Sequence, residues 1–88
     1  MKIKEGFVLR RVLDEAVVVT VGEASKTFHG IVKLNDSAAD IWEWISRGLS
    51  KDEIAQELAK KYELSDAKAI ADVDAMIKQM SEAGLIEG

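Results

Sequence analysis

The side chains that could do chemistry in this chain are carboxylates that occur in neighbouring pairs. Asp72 with Asp74, and Asp52 with Glu53, have the residue type that general acid–base catalysis requires. Both pairs fall in segments with helical periodicity whose polar positions are already acidic. We therefore interpret these carboxylates as parts of solvated helix faces.

The sequence also lacks the residues that other kinds of catalytic or ligand-binding site require. The chain has no cysteine and one histidine, His29, which excludes thiolate nucleophiles, sulfur-containing zinc sites and histidine clusters. His29 lies between Gly22 and Gly30 without a catalytic-triad signature, and we interpret it as a surface residue. The two glycines lack phosphate-loop spacing and are interpreted as turn residues. We expect a protein that is not an enzyme and that holds no cofactor or metal ion.

Length and composition predict one soluble globular domain over residues 1–88. The chain has 88 residues, of which 48% are hydrophobic and 32% charged, enough for one core and too few for two. No window approaches the roughly 20 apolar residues of a membrane span, and the N-terminus lacks the apolar core of a signal peptide. We expect no membrane association and a cytoplasmic location.

The charge of the chain is divided unevenly along its length. Residues 1–35 carry six basic and four acidic side chains, whereas residues 36–88 carry six basic and twelve acidic ones, a net charge of −6. A nucleic-acid-binding protein concentrates positive charge on the element that meets phosphate. Because the helical part is the acidic part, we expect no nucleic-acid partner.

Three strands are predicted in the first third of the chain. Residues 7–12 and 16–21 are rich in β-branched side chains, and the acidic stretch 13–15 between them suits a turn, which predicts a β-hairpin. Residues 22–30 are bounded by glycines and predict a loop. A short third strand is expected over residues 31–34.

Three helices are predicted after the strands. The first covers 36–47, with Asn35 as N-cap and Gly48 as the left-handed residue that ends it. Its predicted buried stripe is Ala38, Ile41, Trp42 and Ile45. Ser50 and Glu53 form a capping-box pattern at the start of the second helix, which should fade near Tyr62. The pattern also places Leu49 and Ile54 in a hydrophobic staple, and the second stripe is Ile54, Leu58 and Tyr62.

The last predicted helix begins after Ser65 and ends at Gly84, with Leu85 folding back on Met80. Its predicted core stripe is Ile70, Val73, Ile77 and Met80. One flank beside this stripe is small and apolar with two polar positions: Ala69, Asp72, Met76, Gln79 and Ala83. The flank could line an adaptable groove or simply pack against the sheet. The element order is β-β-β-α-α-α, an α+β fold.

The two tryptophans of the first helix have different predicted roles. Trp42 lies on the core stripe and is explained by packing alone. Trp44 groups with polar positions on the helical wheel. It either covers Leu49 at the end of the helix or presents an exposed aromatic ring to a partner.

Two stretches of the sequence resemble the coenzyme PQQ synthesis protein D (PqqD) family. They are LNDSAADIWEWISRGLSKDEIAQEL and DVDAMIKQMSEAGLI, and the resemblance spans residues 7–86. Its features are Leu34-Asn35, Ile41-Trp42, Gly48 before a capped helix, and the terminal Gly84-Leu85-Ile86. The family resemblance implies a small winged helix-turn-helix type domain with three antiparallel strands followed by three helices, the order predicted above.

The resemblance also implies a function. Family members are peptide chaperones, called RiPP recognition elements, for ribosomally made and post-translationally modified peptides. They bind the leader of a precursor peptide as an added strand beside the third strand and third helix, and present it to a modifying enzyme, commonly a radical SAM protein. On this chain the implied peptide-binding residues are Ile31, Val32, Lys33, Leu34, Ala69, Asp72, Met76, Gln79 and Met80. The hairpin and VGEASKTFHG depart from proteins of PQQ biosynthesis, which leaves another peptide system open.

The main alternative is a DNA-binding winged helix, because the two fold families overlap. Residues 66–83 carry four acidic and two basic side chains, which argues against a groove-facing helix. Another protein-interaction module is a further alternative, and an enzyme lacks visible machinery. The sequence leaves open the peptide, the enzyme that it serves, and whether the module is a monomer or a homodimer.

Overall fold

A three-stranded antiparallel sheet and three helices packed on it form the body of the protein. The computed structural model describes residues 1–27 and 30–87. The elements in chain order are β1 (Lys2–Ile3), β2 (Phe7–Val12), β3 (Glu15–Thr20), α1 (Ala24–Thr27), β4 (Val32–Leu34), α2 (Asp36–Ser46), α3 (Lys51–Tyr62), α4 (Asp66–Glu82) and β5 (Ile86–Glu87). The predicted α+β class and the order of the main strands and helices are confirmed.

The predicted hairpin is formed by β2 and β3, which pair from Phe7↔Thr20 to Val12↔Glu15. The second strand begins one residue earlier than predicted and ends at Thr20, because Leu13 and Asp14 alone make the turn. Leu13 has φ of 57°, the left-handed region that tight two-residue hairpin turns use. The turn thereby fixes the register of the β2–β3 hairpin.

The sheet order is β2-β3-β4, so β4 is an edge strand. It pairs antiparallel with β3 through Ala16↔Leu34, Val17↔Lys33 and Val18↔Val32. The strand begins at Val32, one residue later than predicted.

The helix boundaries follow the capping signals in the sequence. The side chain of Asn35 accepts a hydrogen bond from the Ala38 N–H at 2.8 Å, and Ser50 with Glu53 forms the predicted reciprocal capping box. Ser65 caps α4 by accepting from the Lys68 N–H. At the other ends, Gly48 and Gly84 have φ of 87° and 79°, conformations that glycine adopts without a steric penalty.

The core lies between one face of the sheet and the three helices. Its buried members are Phe7, Val18, Ala38, Ile41, Trp42, Ile45, Ile54, Ala55, Leu58, Ala69, Val73, Met80 and Leu85. The predicted stripe of α2 is confirmed. Trp44 and Leu49 are half-buried against this core, and the Leu49 N–H donates to the Trp44 carbonyl at 3.1 Å. This placement favours the cap-covering interpretation of Trp44.

The predicted core stripe of α4 is wrong at its first position. Ile70 is 51% exposed, whereas Ala69 is 0% exposed. Ala69, Val73 and Met80 therefore set the buried direction of the helix, and Ile70 lies about one-quarter turn away from it. The apolar pattern of the sequence favoured Ile70 as the buried position because isoleucine has a larger apolar side chain than the alanine before it.

Three short elements were not predicted. Strands β1 and β5 pair with each other through Lys2↔Glu87 and Ile3↔Ile86, and two residues are too few to show a period-two pattern. The predicted loop contains the four-residue helix α1. The predicted surface position of His29 lies outside the described residues. Within residues 1–27 and 30–87, no helix is both long and apolar enough to cross a membrane.

Candidate functional site at the edge of the sheet

The outer edge of β4 carries backbone groups that β3 does not use. The Val21 N–H donates to the Gly6 carbonyl at 2.8 Å, which makes that pair a hydrogen-bonded pair of the β2–β3 ladder. Such pairs alternate along antiparallel strands, so Val17 directs its backbone groups toward β2, whereas Ala16 and Val18 direct theirs toward β4.

The same alternation fixes the orientation of each residue in β4. Val32 and Leu34 pair with Val18 and Ala16, so their N–H and C=O groups bond to β3. Lys33 must therefore direct its N–H and C=O away from the sheet. One donor and one acceptor are presented at the open edge.

An apolar groove separates this edge from α4. A cavity of about 290 Å³ lies between them. Its lining residues are Val32, Lys33, Leu34, Asn35, Ala38, Met76, Gln79, Met80, Ala83 and Leu85. Val32 and Leu34 face the helices, while Lys33 is exposed and its Nζ lies 3.3 Å from Glu15 Oε2.

A larger cavity of about 560 Å³ continues the groove past the end of β4. Asn35, Met76 and Gln79 line both cavities, so the two form one continuous surface. The other lining residues of the larger cavity are Asp36, Ser37, Ile41, Leu58, Tyr62, Leu64, Asp72 and Ala75. We call the two cavities together with the outer edge of β4 the edge groove.

A polar network supports the wall of the larger cavity. The Tyr62 hydroxyl donates to Asp40 Oδ2 at 2.5 Å, and Lys61 Nζ donates to Asp40 Oδ1 at 2.9 Å. Asp40 is only 9% exposed, and these bonds satisfy both of its oxygens. The hydrogen bond to Asp40, desolvation, and the charges of Asp40 and Asp36 raise the pKa of Tyr62 to about 12.

The structure brings together most of the residues predicted for the site. Val32, Lys33, Leu34, Met76, Gln79 and Met80 line the smaller cavity, and Asp72, Met76 and Gln79 line the larger one. Met80 is almost fully buried and forms part of the floor. Their role in binding a peptide stays a prediction.

Two predicted site residues lie elsewhere. Ala69 belongs to the core, because the buried face of α4 passes through it, and its assignment to the groove wall is corrected. Ile31 lines neither cavity and is 69% exposed, one residue before β4. The alternation along the strand would direct its side chain to the face of Lys33, away from the groove.

The first turn of α2 also contributes to the site, which was not predicted from the sequence. Asn35, Asp36 and Ser37 line the larger cavity together with Tyr62 and Leu64. The available signal was adjacency, because Asn35 follows the predicted edge strand directly and caps the next helix.

The donor set of the described residues does not suggest a metal site. Across residues 1–27 and 30–87, no group of three or more histidine, cysteine, aspartate or glutamate side chains could hold a metal ion. The chemistry available in the edge groove is hydrogen bonding along a strand and contact with apolar side chains.

Two solved structures share this fold. One is TbiB1 in complex with the TbiA(beta) leader peptide, with a TM-score of 0.84 and 20% identity over 100% of this chain and 96% of that chain. The other is lasso peptide synthetase B1 complexed with the leader peptide, with a TM-score of 0.82 and 23% identity over 99% of this chain and 96% of that one. No curated protein sequence matches the chain.

A family model gives the more direct assignment. The model described as coenzyme PQQ synthesis protein D (PqqD) matches residues 12–86. This range contains β3, β4 and all three long helices, and thus every element that lines the two cavities. The chain belongs to the PqqD family.

Proposed function

We propose that this protein binds the leader segment of a ribosomally made precursor peptide and presents it to a modifying enzyme. The observation that carries the proposal is the open edge of β4, with the Lys33 N–H and C=O directed outward beside an apolar groove. An extended peptide can add to such an edge through main-chain hydrogen bonds, while pockets select its alternate side chains.

The fold neighbours support this assignment. Both structures named above are complexes with leader peptides, and membership of the PqqD family is consistent with the same mode. The protein would act by binding and not by catalysis. The enzyme that receives the peptide would be a radical SAM protein, and the encounter would take place in the cytoplasm, where ribosomally made precursors are produced.

The DNA-binding alternative is disfavoured by the charge of α4 and its surroundings. Asp72 and Asp36 line the larger cavity, and Asp74 lies 2.8 Å from Lys51 on another side of the helix. Acidic side chains at these positions would repel phosphate rather than neutralise it. A peptide is the better-matched partner.

A substitution in the groove tests the proposal. Met76 is half-buried and lines both cavities, so Met76→Asp would place a carboxylate under the bound peptide. Because burying an unpaired charge costs several kcal/mol, we expect the affinity to fall by roughly a hundredfold or more. The measurement is a calorimetric titration with the leader of a precursor peptide encoded beside this gene.

Lys78→Asp provides the control. Lys78 is exposed and lines neither cavity, and its substitution changes the charge by more than Met76→Asp does. We expect near-normal affinity for Lys78→Asp and an unchanged circular dichroism spectrum for both variants. Equal loss of binding in the two variants, or full binding by Met76→Asp, would contradict a peptide site in the edge groove.

A further inference from the structure

The open edge of β4 determines which side chains of an added strand can enter the groove. A peptide residue opposite Lys33 would receive and donate the outward hydrogen bonds, and its side chain would lie on the exposed face with that of Lys33. Its two neighbours would lie opposite Val32 and Leu34, whose side chains face the helices. Those two neighbours are therefore the ones that meet the apolar lining of the smaller cavity.

The larger cavity differs from the smaller one in its charge. Its floor includes the apolar side chains of Ile41, Leu58 and Met76, but Asp36 and Asp72 also line it, and its lining contains no basic residue. Lys68 Nζ approaches Asp72 Oδ1 at 2.9 Å from outside the lining. The charge of Asp36 is also one of the weaker causes, after the Asp40 hydrogen bond and desolvation, of the raised pKa of Tyr62 in the same wall.

We infer that the peptide bound in the edge groove carries two apolar side chains at alternate positions and, N-terminal to them, a lysine or arginine that lies beside Asp36 and Asp72. This inference rests on the proposed function and specifies the chemistry of its ligand. The basic residue precedes the apolar ones because the peptide is expected to add antiparallel to β4, the only kind of pairing present in the described sheets. Antiparallel addition directs the N-terminal part of the peptide past Asn35 into the larger cavity.

The apolar side chains and the basic residue of the peptide have different physical roles. Main-chain bonds to Lys33 and burial of the alternate apolar side chains supply most of the affinity. Asp36 is exposed and Asp72 half-buried, so an ion pair with either contributes little to affinity. The acidic pair instead sets the direction of the peptide and disfavours an acidic residue at that position.

The experiment is a selection from a displayed library of random twelve-residue peptides against three forms of the protein. These are the unsubstituted chain, the double variant Asp36→Asn/Asp72→Asn, and the control Asp74→Asn, which removes a charge from α4 outside the groove. Asp74 faces Lys51 at 2.8 Å and lines neither cavity. A synthetic peptide of the consensus and its Lys→Glu counterpart are then titrated at low and high salt.

The inference predicts enrichment of an apolar-x-apolar pattern preceded by lysine or arginine, with the basic preference lost in the double variant and kept in Asp74→Asn. The Lys→Glu peptide should bind the unsubstituted protein about fivefold or more weakly at low salt, with a smaller difference at high salt. Enriched strands that bind at residues 32–34 without a basic preference would overturn the inference and leave the proposed function standing. Failure of the library and of the precursor leader to bind would overturn both.

Discussion

At the scale of single residues, the wall of the edge groove depends on an ionisable group that the sequence did not single out. In the sequence, Asp40 lies in a predicted helix with other acidic residues, and this pattern indicates a solvated carboxylate. Packing of α2 against α3 instead places it within hydrogen-bonding distance of Tyr62 and Lys61. Such a partnership between residues more than 20 positions apart depends on the tertiary fold, and no local pattern could reveal it.

The Tyr62–Asp40 hydrogen bond predicts a pH dependence of stability. The pKa of Tyr62 is about 12 in the folded chain, above its ordinary value of 10.0. The hydrogen bond that raises this pKa stabilises the folded state fully below pH 10, where the phenol is protonated in both states. This contribution to the free energy of unfolding is lost as the pH rises toward 12. The difference in free energy of unfolding between the unsubstituted protein and Tyr62→Phe should therefore shrink over this window.

Urea denaturation of both proteins at several pH values measures this difference. Tyr62 is the only tyrosine of the chain, so the ultraviolet absorbance of tyrosinate reports this group alone. A phenol that titrates near pH 10 in the folded protein, or a stability difference that is constant across the window, would show that the bond to Asp40 is absent in solution.

At the scale of elements, β4 shows both the reach and the limit of sequence patterns. The short run before Asn35 predicted a strand, and the Asn35 cap predicted where α2 begins, and both are confirmed within one residue. The pattern could not give the direction of the backbone groups, because that depends on which strand lies beside it and in which register. The sequence alone therefore could not distinguish Val32 from Lys33 as the residue whose backbone groups point outward.

The assigned direction makes opposite predictions for two adjacent proline substitutions. Lys33→Pro removes an N–H that points away from β3, so the fold should persist while peptide binding is lost. Val32→Pro removes an N–H that bonds to β3 and should lower the free energy of unfolding by roughly 1 to 3 kcal/mol. Urea denaturation and calorimetric titration with the leader peptide measure the two effects.

Lys33→Ala is the control for Lys33→Pro. It removes the side chain and its contact with Glu15 but keeps the backbone N–H, so binding should be retained. If Lys33→Pro unfolds the protein and Val32→Pro does not, then the Lys33 N–H bonds to β3 and the Val32 N–H points outward, the opposite of the assignment made above.

At the scale of the whole molecule, strong local signals predicted the elements and tertiary packing determined the site. Caps at Asn35, Ser50 and Ser65 located the long helices because each satisfies backbone donors within one turn. The orientation of α4 was misjudged at Ile70 and Ala69 because a helix with apolar residues on two sides has no unique buried face in isolation. The larger cavity forms where α2, α3 and α4 meet, so no single segment encodes it.

The central claim is that a leader peptide extends the sheet at β4. Amide hydrogen exchange of Lys33 tests it most directly, since this N–H is directed outward while those of Val32 and Leu34 are bonded to β3. With the precursor leader bound, exchange at Lys33 should slow strongly, while Val32 and Leu34, already protected, should change little by comparison. Unchanged exchange at Lys33 under saturating peptide, with new protection confined to α3 or to the β2–β3 hairpin, would contradict strand addition at this edge.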